Sequence, residues 1–358
     1  MKVIVGAGGT GGHLYPALAL VEYIKEVEPD SEFLFVGTKD RIESEVVPQQ
    51  GYEYIGLNVR GLVGNPIKKG IAAAIFVKSI FTAKKIVKKF KPDIVIGFGG
   101  YPSASVVEAA NRLGYKTMIH EQNSIIGLTN TILIKNVDKI VCCYDKAYEN
   151  FPKDKTYKLV NPRASVIASI KPDDIFKKYH LNKDLPLVTI VMGSLGSKSV
   201  NEMMLKSLKT FEQKNYQVLY VTGKPYFEEM KTKLGKLNKN IKLVPYIDDM
   251  PSVLKNTTLV VSRAGASTLA EITAVGIPAI LIPSPYVAAN HQEYNARELA
   301  DRNAAMMILA ENLNSKDFVE KVDYILENKI VQESMQKSAK ALGKPNACRD
   351  IYKLIKEM

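Results

Sequence analysis

Short apolar runs recur along the chain, separated by longer stretches in which apolar residues return every three or four positions. The runs fall at residues 3–5, 33–36, 54–57, 94–96, 117–119, 140–143 and 158–160, then at 187–191, 217–221, 241–244, 259–261, 279–282 and 305–309. Several are continuously apolar, the mark of strands covered on both faces. Strands alternating with helices predict parallel sheets joined by right-handed crossovers. The pattern restarts near residue 185, where a strand again ends in a glycine loop, Met192-Gly193-Ser194-Leu195-Gly196-Ser197. An α/β chain of two Rossmann-like parallel-sheet domains facing a central cleft is therefore expected, with domains at 1–161 and 162–345. Residues 346–358 read as a helix that folds back on the first domain. In such folds ligands bind beyond the carboxyl ends of the strands.

Composition narrows this picture. The chain has 358 residues, 46% hydrophobic and 24% charged, enough to bury a core in each half. Met1-Lys2 runs straight into a strand, so no secretory leader is expected, and no apolar run is long enough to span a bilayer. Cys142, Cys143 and Cys348 have neither disulfide nor metal-ligand spacing, which suits a reducing cytoplasm. A net charge of +12 calls for acidic partners. No zinc-finger, helix-turn-helix or ribonucleoprotein motif accompanies it, so phosphorylated substrates or an anionic membrane are expected rather than nucleic acid.

The chemistry starts after the first strand, in Gly8-Gly9-Thr10-Gly11-Gly12-His13. Glycine lets a ligand approach the main chain, and the amides at the start of the next helix favour an anion. The loop suits a phosphate, as a dinucleotide loop does, though its spacing differs. A second loop, Gly97-Phe98-Gly99-Gly100-Tyr101, follows the strand at 94–96. Together the two can hold a diphosphate through backbone amides. His120-Glu121-Gln122-Asn123 then ends another strand, where polar side chains either line a cleft or cap the loop.

Residues 67–91 hold eight lysines and no acidic residue. On a helical wheel Phe76, Ile80, Ala83, Val87 and Phe90 share the face that packs inward. Ile71 and Ile75 fall among Lys78, Lys85 and Lys89, with Val77 and Phe81 to one flank. Such a surface rests on an anionic bilayer, or it is simply a solvated amphipathic helix.

In the second half, Ser194 offers a hydroxyl to a phosphate. The run Arg263-Ala264-Gly265-Ala266-Ser267-Thr268-Leu269-Ala270-Glu271 reads as a loop and helix start. Ser267 and Thr268 are placed to hold a pyrophosphate, and Glu271, one turn on, to accept both hydroxyls of a ribose. His291 and Gln292 lie beyond a later strand end and suit sugar hydroxyls. Asn295 suits that role or a structural one.

These motifs, with Asn161-Pro162-Arg163 and Tyr246-Ile247-Asp248-Asp249-Met250, occur in order over almost the whole chain. The chain closely resembles the MurG family of bacterial murein glycosyltransferases, glycosyltransferase family 28. The resemblance implies a GT-B fold and transfer of N-acetylglucosamine, with inversion, from UDP-N-acetylglucosamine to the C4 hydroxyl of the N-acetylmuramoyl sugar of lipid I, giving lipid II. It implies donor contacts at Ser194, Ile247, Gly265, Ala266, Ser267, Thr268, Leu269, Glu271, His291 and Gln292, and from the first half at Thr10, Gly11, Gly12, Asn123 and Arg163. Acceptor contacts are implied at Gly9, Thr10, Gly11, Gly12, Gly99, Gly100, Tyr101, His120 and Glu121. Ile71, Ile75, Lys78, Phe81 and Lys85 become the expected membrane contact of a peripheral enzyme on the cytoplasmic face. Other cell-wall synthesis proteins become further expected partners.

For the chemistry, His13 is the candidate base for the attacking hydroxyl, with Glu121 and His120 as rivals and mere acceptor binding as the alternative role for His13. No paired acidic motif of the Asp-x-Asp type sits in a donor loop, and helix amides can replace a cation, so neither metal nor cofactor is expected. A UDP-sugar-dependent glycolipid synthase, a UDP-N-acetylglucosamine 2-epimerase and a noncatalytic nucleotide-sugar-binding regulator are the competing readings.

Overall fold

The computed structural model describes residues 1–61 and 65–358, in two compact units. The first unit comprises Met1–Ser165 and Asn346–Met358, and the second Val166–Pro345. Each is built on one parallel sheet.

In the first unit the strands are β1 (Lys2–Gly6), β2 (Glu32–Thr38), β3 (Glu53–Leu57), β4 (Ile94–Gly97), β5 (Lys116–Glu121), β6 (Lys139–Cys142) and β7 (Thr156–Lys158). Their order is β3-β2-β1-β4-β5-β6-β7. The register sets Gly6 beside Gly97, so both glycine loops leave the sheet at one level. The strand order reverses between β1 and β4, the switch point where this architecture binds ligands. β7 begins two residues before the apolar run at 158–160. Thr156, Tyr157 and Lys158 pair with Ile140, Val141 and Cys142, and aromatic and β-branched residues suit such a pleat.

Helix Pro66–Phe90 packs on helix Tyr101–Asn111, which lies on one face of this sheet. Asn65 caps it by accepting from the Lys68 amide, Pro66 occupies its first position, and Lys91 ends it in the left-handed region. Ala72, Ser79, Ile80, Ala83 and Val87 face the core, where the Ser79 and Ser105 hydroxyls meet at 2.6 Å. The last helix, Ala347–Lys356, packs on helix Gly11–Val27. Ile351 is fully buried, Tyr23 meets Tyr352 edge to face, and Tyr352 and Lys356 both donate to Glu28. Among the described residues, no helix is long and apolar enough to cross a membrane.

The second unit holds β8 (Leu187–Val191), β9 (Gln217–Val221), β10 (Ile241–Val244), β11 (Leu259–Ser262), β12 (Ala279–Leu281) and β13 (Ala305–Met307), ordered β10-β9-β8-β11-β12-β13. The reversal here lies between β8 and β11. Loops 192–197 and 263–265 therefore emerge side by side, as the two glycine loops do in the first unit.

Candidate functional site

Each unit carries a cavity at its switch point. In the first unit it measures 710 Å³ and is bordered by Gly8, Gly9, Thr10, His13, Gly100 and Tyr101. The two loops touch backbone to backbone, with the Gly8 amide donating to the Gly99 carbonyl at 3.2 Å. A Cβ on Gly100 would stand 2.4 Å from the Gly8 oxygen, and its φ of +83° disfavours any other residue. Thr10 is the N-cap of helix Gly11–Val27 but makes no side-chain cap, so the dipole's positive end opens at the loop.

His13 leans across this contact. Its Nδ1 lies 2.7 Å from the Gly8 carbonyl oxygen, which can only accept, so Nδ1 carries the proton and Nε2 the lone pair. The ring lies against Gly99, where a Cβ would come within 2.8 Å of Cδ2.

His120 and Glu121 are not at this cavity. His120 is 1% exposed, stacked on Phe98, with Nδ1 toward Gln122 and Nε2 toward Cys143. Burial pushes its pKa down to about 4, so it stays neutral. Glu121 is also buried. Its Oε1 accepts from the Asn123 amide and side chain, and its Oε2 from the Gly127 amide and Asn130 Nδ2. A carboxylate so fully used organises its loop and is unsuited to taking a substrate proton. Both side chains are buried and serve their own loop, apart from the cavity at the glycine loops, whereas the sequence sets them among its contacts.

Glu43, on helix Glu43–Gln49, carried no sequence signal. It is buried, and its Oε1 accepts from the Gly9 amide, the Thr38 amide and the Thr38 hydroxyl at 3.1, 3.0 and 2.7 Å. It ties the glycine loop to the end of β2. Only the absence of a side chain at Gly8 and Gly37, both of which would crowd Glu43, hints at it in the sequence.

The second unit's cavity measures 870 Å³. Two helix N-termini line it, those of Lys198–Phe211 and Ala266–Val275, and neither has a side-chain cap. Two uncapped N-termini in one cavity favour a polyanion. Ser194, Gly265, Thr268 and Glu271 border it. Ser267 Oγ is buried without a hydrogen-bond partner. Leu269 is buried in the core, and its amide donates to the Gly265 carbonyl. Ile247 packs its side chain with Leu219, Val221 and Val253, leaving its main chain for a ligand. Arg263 binds loops together, donating to Ser197 Oγ and to the Ile282 and Pro283 carbonyls.

Gln292 borders this cavity and His291 does not. Gln292 Oε1 accepts from the Ser284 amide at 2.9 Å, which turns Nε2 outward as a donor. His291 Nδ1 instead pairs with the Ala288 carbonyl. Asn295 is fully buried and donates to the Ala264 carbonyl, the structural role. Asn123 and Arg163 belong to the first unit, where the Arg163 amide donates to Asn161 Oδ1.

On helix Pro66–Phe90, Ile67, Ile71, Val77 and Phe81 are exposed at 74, 51, 53 and 60%, with Lys78 and Lys85 among them. Ile75 is half-buried, turned toward Leu57 and Thr82 in a side groove rather than outward.

Two family models match. Residues 3–142 match the glycosyltransferase family 28 N-terminal domain, and residues 187–351 its C-terminal domain. The chain is 43% identical over 357 residues to the UDP-N-acetylglucosamine–N-acetylmuramyl-(pentapeptide) pyrophosphoryl-undecaprenol N-acetylglucosamine transferase of Leuconostoc mesenteroides, covering 99% of this chain and 98% of that one. The Listeria monocytogenes protein of the same name is 41% identical over 358 residues, 99% of each chain. Among solved structures, MurG of Acinetobacter baumannii superposes with a TM-score of 0.82 at 27% identity, over 100% of this chain and 99% of that one. The UDP-GlcNAc 2-epimerase of Neisseria meningitidis reaches 0.71 at 12% identity over all of both chains, a likeness of fold alone.

Proposed function

The chain belongs to the family 28 glycosyltransferases that act on N-acetylmuramyl-(pentapeptide) pyrophosphoryl-undecaprenol, and from that premise we propose how its two cavities divide the work. Its fold is of the GT-B class. The protein transfers N-acetylglucosamine from UDP-N-acetylglucosamine to the C4 hydroxyl of MurNAc in lipid I, giving lipid II for peptidoglycan synthesis. Identity above 40% with such transferases over the whole chain carries this reading.

The second unit holds the donor. Main-chain groups at Ile247 take the uracil, Glu271 the ribose hydroxyls, and Ser194, Ser267, Thr268 and the amides after Gly265 the diphosphate. Gln292 Nε2 donates to the transferred sugar. The first unit holds the acceptor at the two glycine loops. As the C4 oxygen bonds to the anomeric carbon, the bond to UDP breaks and His13 Nε2 takes the hydroxyl proton. The two helix N-termini stabilise the charge growing on the UDP oxygen.

The acceptor is membrane-borne. Exposed Ile71 and Phe81, ringed by Lys78 and Lys85, support docking on the anionic cytoplasmic leaflet. The direct test supplies radiolabelled UDP-N-acetylglucosamine and a short-chain lipid I analogue to the purified protein. A labelled disaccharide-lipid is expected, and its absence sinks the reading.

A further inference from the structure

The cavity beside His13 extends well beyond the glycine loops. Its far side is made by Lys39, Asp40 and Arg41, from the loop after β2, and Arg60, after β3, so cations outnumber the one carboxylate. These side chains are exposed, and none has an ion-pair or side-chain hydrogen-bond partner among the described residues. The loop that bears Lys39 and Arg41 is held in place, because Thr38 is tied to Glu43 and its carbonyl accepts from Tyr54. The lysine stem lies flat over β3. A Cβ on Gly56 would stand 2.9 Å from Lys39 Cγ and 3.0 Å from its Cα.

A second cavity, of 260 Å³, shares Lys39, Leu57 and Asn58 with the first and continues to Ile75 and Thr82. Those two residues lie on helix Pro66–Phe90, the helix whose outer face exposes Ile71 and Phe81. Lys39 therefore stands where the two cavities meet. A cationic end followed by a partly apolar groove matches an amphiphile with an anionic head and a hydrocarbon tail.

We propose that these joined cavities are the track of the acceptor's lipid carrier, with the lipid-side phosphate held by Lys39, Arg41 and Arg60 and the first isoprene units passing between Asn58 and Ile75. The glycine-loop amides are left to the phosphate next to the sugar. This rests on the acceptor reading above and adds the path by which the acceptor leaves the site toward the membrane.

The test uses the full chain, UDP-N-acetylglucosamine and MurNAc-pentapeptide acceptors with three attachments: geranyl pyrophosphate, geranyl monophosphate and methyl pyrophosphate. Lys39→Met raises the acceptor KM about tenfold on both pyrophosphates, as expected for one lost charged hydrogen bond, and less than twofold on the monophosphate. Lys39→Arg restores most of that affinity. Asn58→Trp, which plugs the passage, raises KM on geranyl pyrophosphate and leaves methyl pyrophosphate unaffected. Equal penalties from Lys39→Met across the pyrophosphate and monophosphate pair, or from Asn58→Trp across the geranyl and methyl pair, overturn the track. Product from the wild type with any of these acceptors tests the reaction itself separately.

Discussion

The Gly8 carbonyl oxygen fixes the tautomer of His13, at 2.7 Å from Nδ1. A histidine so held presents Nε2 as a proton acceptor and pays little entropy to do so. His13→Ala should lower kcat by roughly 10²- to 10⁴-fold while the affinity for UDP-N-acetylglucosamine changes by less than twofold. Gly99→Ala should act in the same direction, because the new methyl meets the imidazole and the φ of +111° is strained. Steady-state kinetics with isothermal titration of the donor decides this. Near-normal turnover by His13→Ala removes the base assignment.

Glu43 makes a separable prediction. Its Oε1 takes three hydrogen bonds, and its Oε2 has no partner. In Glu43→Gln the amide oxygen can occupy the Oε1 position, so stability should change by less than about 1 kcal/mol. Glu43→Ala strands the donors of Gly9 and Thr38, costing about 1–3 kcal/mol and raising the acceptor KM. Urea unfolding of both variants checks the order. A Gln variant as unstable as the Ala variant means that the carboxylate charge matters.

Ser267 Oγ is buried without a hydrogen-bond partner, one residue before Thr268, which borders the second cavity. Ser267→Ala should leave the unliganded protein as stable or slightly more so, since no hydrogen bond is lost. It should weaken UDP binding about two- to tenfold, the value of one neutral hydrogen bond. Calorimetry with UDP alone measures this. Unchanged affinity excludes the hydroxyl from the diphosphate site.

Phe81 and Lys85 test the lipid surface. Phe81 is 60% exposed, so Phe81→Glu should fold normally yet lose most binding to vesicles containing anionic lipid. Lys85→Glu should lose less, and its loss should shrink in high salt, because a lysine near such a surface contributes about 1 kcal/mol. Cosedimentation at two salt concentrations separates the terms. Full binding by Phe81→Glu would place the contact elsewhere.

The strands were legible in the sequence because parallel strands covered on both faces must be apolar runs, and each of the thirteen runs produced one. The loops were legible because a main chain that meets a polyanion needs glycine, as at Gly99 and Gly100. What sequence hid was the difference between a polar residue facing a ligand and one serving its own loop. His120 and Glu121 look like site residues in one dimension, yet both are buried and engaged. Glu43, Lys39 and Arg60 look like ordinary surface charges until β1, β2 and β3 bring their loops together. Ile75 sits at the edge of the helix's exposed arc, where a wheel cannot separate a groove from open surface.

His120 supplies the pH dependence. Its pKa falls from 6.5 to about 4 on folding, chiefly through burial. Between those values the unfolded chain holds a proton that the folded protein does not, so stability falls as pH falls. Above pH 7 the histidine is neutral in both states and contributes no slope. Below about pH 4 both states are protonated and the slope ends. The loss across the window is roughly 3 kcal/mol, at up to ~1.4 kcal/mol per pH unit. His120→Gln removes the group, so its stability should decline less steeply than the wild type's from pH 6.5 downward, by about one proton. Urea unfolding at pH 7.5, 6.0 and 5.0 measures both slopes. Parallel curves would mean that the imidazole finds a way to be charged inside the fold, against the stacking on Phe98 that encloses it.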